Sequence, residues 1–196
     1  MTYSSLQQRI YDNKVRRGFN VTDVGKELIL MTEEFGELND GYICLRKSKA
    51  GSHEKMVDAV GDLQVYNLGL ASMFGWKADE VAHPKFKSVD DALKYLKEPI
   101  YDDGYDHFIS GICGTYPEIR NYFPFVARGL GRLANAYKKS NKELVEKIDQ
   151  REEFNWILHK LMRYCSDMFK NLKVEEFSVL EHIVKNNETR THEGQI

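Results

Sequence analysis

The 196-residue chain is long enough for one well-cored domain, or for two small units sharing a core. With 42% hydrophobic and 30% charged residues and a formal net charge of −2, it has an ordinary globular composition and no basic field to hold duplex nucleic acid. No apolar run approaches the roughly 20 residues that span a bilayer, and MTYSSLQQRIYDNKVRRG at the start has no apolar signal core, so a cytoplasmic setting without membrane contact is expected.

Taken in chain order, the expected elements are helical. Leu6, Ile10, Tyr11 and Val15 predict a helix over 3–17, which Gly18 and Asn20 break. Thr22 or Asp23 can cap a second helix, which carries Val24, Leu28, Leu30, Met31, Phe35, Leu38, Tyr42 and Leu45 and fades in RKSKAGS at 46–52. A third is expected over 54–74, with Met56, Val60, Leu63, Leu68 and Phe74 among its apolar positions and Gly75 as its stop. Residues 76–120 are irregular apart from a short helix near 88–97, and DDGYDH at 102–107 reads as loop. Helical patterning returns at 117–139, 142–171 and 173–187, and the tail THEGQI reads as loose.

A repeat runs through this pattern. The spacing 131 − 36 = 95 aligns FGELNDGY (35–42) with LGRLANAY (130–137), and without a gap it pairs Asp58 with Glu153, Leu63 with Leu158 and Phe74 with Phe169. Two tandem helix-pair repeats packed as a pseudo-symmetric four-helix bundle are implied. The first half is 1–87, a connecting segment 88–116, and the second half 117–196.

Three widely spaced cysteines (Cys44, Cys113, Cys165) form no CxxC pair, and six histidines show no zinc spacing, so any metal chemistry falls to oxygen ligands. The second helix offers Glu33, Glu34 and Glu37, and the third offers Asp58 and Asp62, each set at spacings of three or four that share a helix face. Like charges so placed weaken a helix, and Gly36 and Gly61 interrupt both sets. A cation would offset the repulsion, and glycine would admit a close approach by a helix or a ligand. Hard oxygen donors in this number suit Mg²⁺, with Mn²⁺ as a substitute, bridging to substrate phosphates. A solvated acidic face is the plain alternative, but Asp62 lies within a nearly continuous apolar stretch where an unpaired acid is costly.

Three stretches, NKVRRGFNVTDVGKEL (13–28), TEEFGEL (32–38) and DAVGDLQVYNLGLA (58–71), resemble the all-α nucleoside triphosphate pyrophosphohydrolases. These are the MazG-like proteins and their dimeric dUTPase and dCTPase relatives, including phage-encoded variants. The resemblance covers roughly residues 10–75. It implies Mg²⁺-dependent cleavage of a nucleoside triphosphate between the α- and β-phosphates, in nucleotide-pool control or house-cleaning. Glu33, Glu34, Glu37 and Asp62 would ligate metal, with Glu33 as the candidate to orient the water. The family's ExxD motif would put Glu at 59, where this chain has Ala59, so Asp58 must serve instead.

Tyr66 resembles a substrate-contacting position, and a core tyrosine is the other reading. Lys14, Arg16, Arg17 and Asn20 would contact phosphate or base, or lie solvated at a helix end. The phosphate-binding segment is matched in the second half by HIVKNNETR, with Lys185, Asn187 and Arg190, although a polar helix end explains it too. At the spacing of 95, Arg128, Gly129, Arg132 and Ile157 replace Glu33, Glu34, Glu37 and Asp62. A fused dimer with one surviving composite site is the expectation, and a further dimer of the fused chain is compatible with it. Trp76 and Trp156 are either core residues or stacking groups for a base. The rival function is a catalytically silent helical module binding a nucleotide or a protein.

Overall fold

The computed structural model describes residues 1–85, 118–140 and 148–190. The helix expected near 88–97, the loop at 102–107, Cys113 and the tail lie outside them. The described residues form α1 (Tyr3–Arg16), α2 (Val24–Arg46), α3 (Ser52–Met73), α4 (Ala78–Ala82), a 3₁₀ turn (Ile119–Tyr122), α5 (Phe123–Lys139), α6 (Ile148–Asn171) and α7 (Glu176–Thr189). The protein is all-α as expected. Among the described residues no helix is long and apolar enough to cross a membrane.

Local chemistry sets the ends. Asp23, rather than Thr22, caps α2 by accepting the Lys26 amide. Gly75 stops α3 as expected: its φ of 69° lets the Gly75 and Trp76 amides turn back to the Ser72 and Ala71 carbonyls. Two other helices close the same way without glycine, on Ser48 (φ 53°) after α2 and Lys173 (φ 60°) after α6. Lys173 is therefore the reversal after α6, and α7 starts at Glu176 rather than at 173. Glu175 caps it by accepting the Phe177 and Ser178 amides.

α2, α3, α6 and α5 contact one another in a closed ring, while α1 and α7 lie together against α3 and α4 lies against α6. Met31, Leu38, Val60, Leu63, Leu133, Phe154 and Leu158 are buried between them. Each such side chain contributes about 1.5–3 kcal/mol. Within each helix pair a glycine permits the contact. A Cβ on Gly41 would come 2.7 Å from Met56 Cγ, and one on Gly129 would come 2.8 Å from Leu161 Cδ2.

Contacts between the two pairs are reciprocal about a spacing of 98. His53 Nε2 is 2.9 Å from the Leu172 carbonyl, and Arg151 donates to the Phe74 carbonyl at 2.6 Å, with 151 − 53 = 172 − 74 = 98. His159 Nδ1 meets the Val81 carbonyl at 2.9 Å, and a Cβ on Gly61, at 98 before His159, would come 3.3 Å from Val179, at 98 after Val81. Gln64 donates to the Met162 carbonyl at 3.4 Å and Asn67 to Cys165 Sγ at 3.8 Å, partners that again differ by 98. The gap-free spacing of 95 thus does not extend over α3 and α6.

Candidate active site

Glu33, Glu34 and Glu37 from α2 and Asp58 and Asp62 from α3 line one cleft of about 1010 Å³. Lys14 and Arg17 from α1, Tyr66 from α3, and Asn187, Thr189 and Arg190 from the end of α7 line it as well. Asp58 is on this face for a reason visible in α3. Ala59 is buried in the core at 2% exposure, so an acid there would point inward, whereas Asp58 shares a face with Asp62 one turn on. The cleft has apolar walls in Ile10, Phe19, Leu30, Val65 and Val184.

The acids crowd one another. The Glu34 carboxyl is pushed up to about 8, first by burial and then by Asp62, Glu37, Glu33 and Asp58. Asp62 is raised to about 7 by burial and by Asp58, with Arg190 pulling it back and Glu37 pushing again. Burial, followed by Glu34 and Asp62, also lifts the Tyr66 hydroxyl well above its ordinary value, so it stays protonated. Among the described residues no three acids close into a ligand sphere. The fit to Mg²⁺ or Mn²⁺ rests on donor chemistry: five hard oxygen groups line one cleft, two of them raised first by burial and then by the neighbouring acids.

The basic wall is built from α1. Lys14 Nζ donates to both Glu27 oxygens at 2.7 and 2.8 Å and lies 5.4 Å from the Tyr66 ring centre. Gly69 leaves room for the pair, since a Cβ there would be 3.1 Å from Lys14 Nζ. Arg17 donates to the Asn187 carbonyl at 3.2 Å, and its guanidinium stacks 4.3 Å from the Phe19 ring. The Arg17 Nε is buried without a hydrogen-bond partner. Glu27, Asn13, Phe19 and Thr189 were not singled out from the sequence. Glu27 had a signal there, as an acid three residues after Val24 on the Val24–Leu28–Met31 core stripe.

Other expected site residues lie elsewhere. Asn20 does not line the cleft: its oxygen accepts the Thr22 and Asp23 amides, and its amide donates to the Asp23 carbonyl and to Glu27. It shapes the turn into α2 and steadies Glu27. Lys185 is exposed outside the lining. Arg16 ties to Asn13 and to the Glu188 carbonyl. Trp76 stacks on Phe74 at 4.5 Å, and Trp156 is buried beside Lys160. Neither tryptophan reaches the cleft.

The corresponding place in the second half holds the opposite charge. Arg128, Gly129 and Arg132 of α5, at a spacing of 95 from the three glutamates, line a cavity with Trp156, Lys160 and Tyr164 of α6, at 98 from Asp58, Asp62 and Tyr66. At a spacing of 98, Asp62 falls on Lys160 and Asp58 on Trp156, where the spacing of 95 gives Ile157 and Glu153. At about 10 Å³ this second cavity has no room for a nucleotide. Comparison with family models, with curated proteins and with solved structures finds no match to the chain.

Proposed function

We propose that the chain is a Mg²⁺-dependent nucleoside triphosphate pyrophosphohydrolase of MazG-like type, a pseudo-dimer of two helix-pair repeats with one composite active site, serving nucleotide-pool control. One observation carries it. Carboxylates from residues 33–62 face Arg190 across a single cleft, near enough for Arg190 to lower the Asp62 carboxyl, although 190 − 62 = 128 residues separate them. A polyphosphate needs both sides: acids to hold its metal and cations to hold its oxygens. The reciprocal contacts at a spacing of 98, and the inverted charges of the second cavity, favour a duplication that kept one site.

Glu34, Glu37, Asp58 and Asp62 would hold Mg²⁺, which when bound neutralises phosphate charge and polarises a phosphoryl oxygen. Glu33, exposed in the cleft, takes the proton of the attacking water. The water oxygen bonds to the α-phosphorus while the bond to the α–β bridging oxygen breaks, releasing the nucleoside monophosphate and pyrophosphate. Arg17 and Arg190 hold the departing phosphates, and Tyr66, kept protonated, donates a hydrogen bond.

The test is pyrophosphate release from a panel of ordinary and modified nucleoside triphosphates with Mg²⁺ or Mn²⁺. Turnover of at least one substrate, lost in Glu34→Gln, is expected. Silence across the panel with no metal-dependent thermal shift would leave the silent binding module as the better account.

A further inference from the structure

α7 belongs by sequence to the second half, yet it supplies cleft residues to the acids of the first, so something must set its position along α3. Three fastenings do so. At its start, Glu176 accepts from Tyr3 at 2.6 Å and from the buried Gln64 at 2.9 Å. At its middle, α7 lies on Gly61, where a Cβ would overlap Ile183 Cδ1 and come 3.3 Å from Val179 Cγ1. Gly61 lies between Asp58 and Asp62, so the seat of α7 and the acids belong to one stretch of α3. Towards its end, Arg9 of α1 forks onto Glu188 through Nε and Nη2, both at 2.8 Å, and reaches Glu181 through Nη1.

The matching place in the second half is built differently. His159 stands where Gly61 does, and its ring meets the α4 carbonyl of Val81 instead of leaving bare backbone for close packing. The direct seat therefore belongs to the half that carries the acids.

We propose that Gly61 and Arg9 are positioning residues that fix the register of α7 on α3, so that Asn187 and Arg190 face the carboxylates; this rests on the composite site proposed above. Neither residue lines the cleft, so both act through α7. Gly61→Ala would push α7 outward, and Ile183→Val, which deletes the overlapping Cδ1, would let it return. Arg9→Met keeps the stem of the side chain and removes the fork.

The experiment compares full-length Gly61→Ala, Gly61→Ala with Ile183→Val, Arg9→Met and Arg9→Lys with the wild type, using Mn²⁺ titration, KM and kcat, and hydrogen exchange along 176–189. The expected result is a KM raised about tenfold in Gly61→Ala and Arg9→Met, with kcat and Mn²⁺ affinity within about twofold of wild type. Ile183→Val should restore the Gly61→Ala KM, and Arg9→Lys should recover part of the Arg9→Met loss. Exchange along α7 should quicken in both impaired variants and slow again in the suppressed one. A merely structural role would lower the melting temperature and leave the KM of the folded protein unchanged, and that outcome overturns the proposal. So does a raised KM that Ile183→Val fails to restore. If the wild type turns over no triphosphate, the enzymatic reading fails. The register is then judged by exchange alone: quickening in Gly61→Ala that Ile183→Val reverses upholds it, and its absence overturns it.

Discussion

Glu34 and Asp62 tie the chemistry of the cleft to the stability of the fold. Both carboxyls are raised in the folded protein, to about 8 and about 7 from ordinary values of 4.5 and 3.8. The folded state then binds more protons than the unfolded one, so their contribution is complete below the ordinary values and is lost as pH rises through the raised ones. His159 works the other way. Burial holds it neutral down to about 4 against an ordinary 6.5, and its contribution fades as pH falls through that interval. The metal-free melting temperature should therefore fall from about pH 7.5 to 8.5, above the range in which His159 opposes the carboxyls. Saturating Mg²⁺ should flatten the fall, and Asp62→Asn should shrink it. Melting curves with and without Mg²⁺ decide, and a metal-free curve that rises over that interval would contradict the charge arrangement.

Glu27, at 1% exposure, makes a second prediction at this scale. Removing one partner of a buried pair leaves a bare charge, so Glu27→Ala should cost about 3–5 kcal/mol, or very roughly 2–4 °C of melting temperature for each kcal/mol. Glu27→Ala combined with Lys14→Met should cost less than Glu27→Ala alone. The cleft acids were legible in the sequence because spacing on a helix fixes their common face. Glu27 was passed over because the pattern does not show what meets an acid on the core stripe.

At the scale of the elements, two glycines of α2 make opposite predictions. Gly41 lies against α3, and Gly41→Ala should destabilise by about 1–3 kcal/mol through overpacking on Met56. A Cβ on Gly36 would meet nothing within 4 Å, and Gly36→Ala should stabilise by roughly 0.5–1 kcal/mol through helix propensity and a less flexible unfolded chain. Chemical denaturation of the two variants checks both signs. The helices themselves were legible wherever apolar positions recur at three and four. Their ends were legible at Gly75 and Asp23, where residue type announces the turn. Ser48 and Lys173 carry no such mark, because neither residue type favours the left-handed conformation they adopt.

At the scale of the whole molecule, the spacing of 95 read from α2 and α5 gives way, between α3 and α6, to contacts that are reciprocal at 98. A gap-free alignment cannot anticipate a change of spacing, and apolar helices match at many offsets. Only reciprocal contacts such as His53 with Leu172 and Arg151 with Phe74 fix the true spacing. The meeting of Arg190 with Asp62 was likewise suggested by a resemblance in the sequence, while its geometry depends on α7 lying over Gly61.

The most direct measurement of the composite site compares Asp62→Asn with Arg190→Ala, reading Mn²⁺ affinity and pyrophosphate release in both and the KM for a hydrolysed triphosphate in Arg190→Ala. The two-sided cleft predicts that Asp62→Asn weakens Mn²⁺ binding at least about tenfold and abolishes pyrophosphate release. Arg190→Ala should leave Mn²⁺ affinity intact and raise KM by about tenfold, the worth of a lost charge-assisted contact of roughly 1.5 kcal/mol. Pyrophosphate release that survives Asp62→Asn, or a KM unmoved by Arg190→Ala, would contradict it.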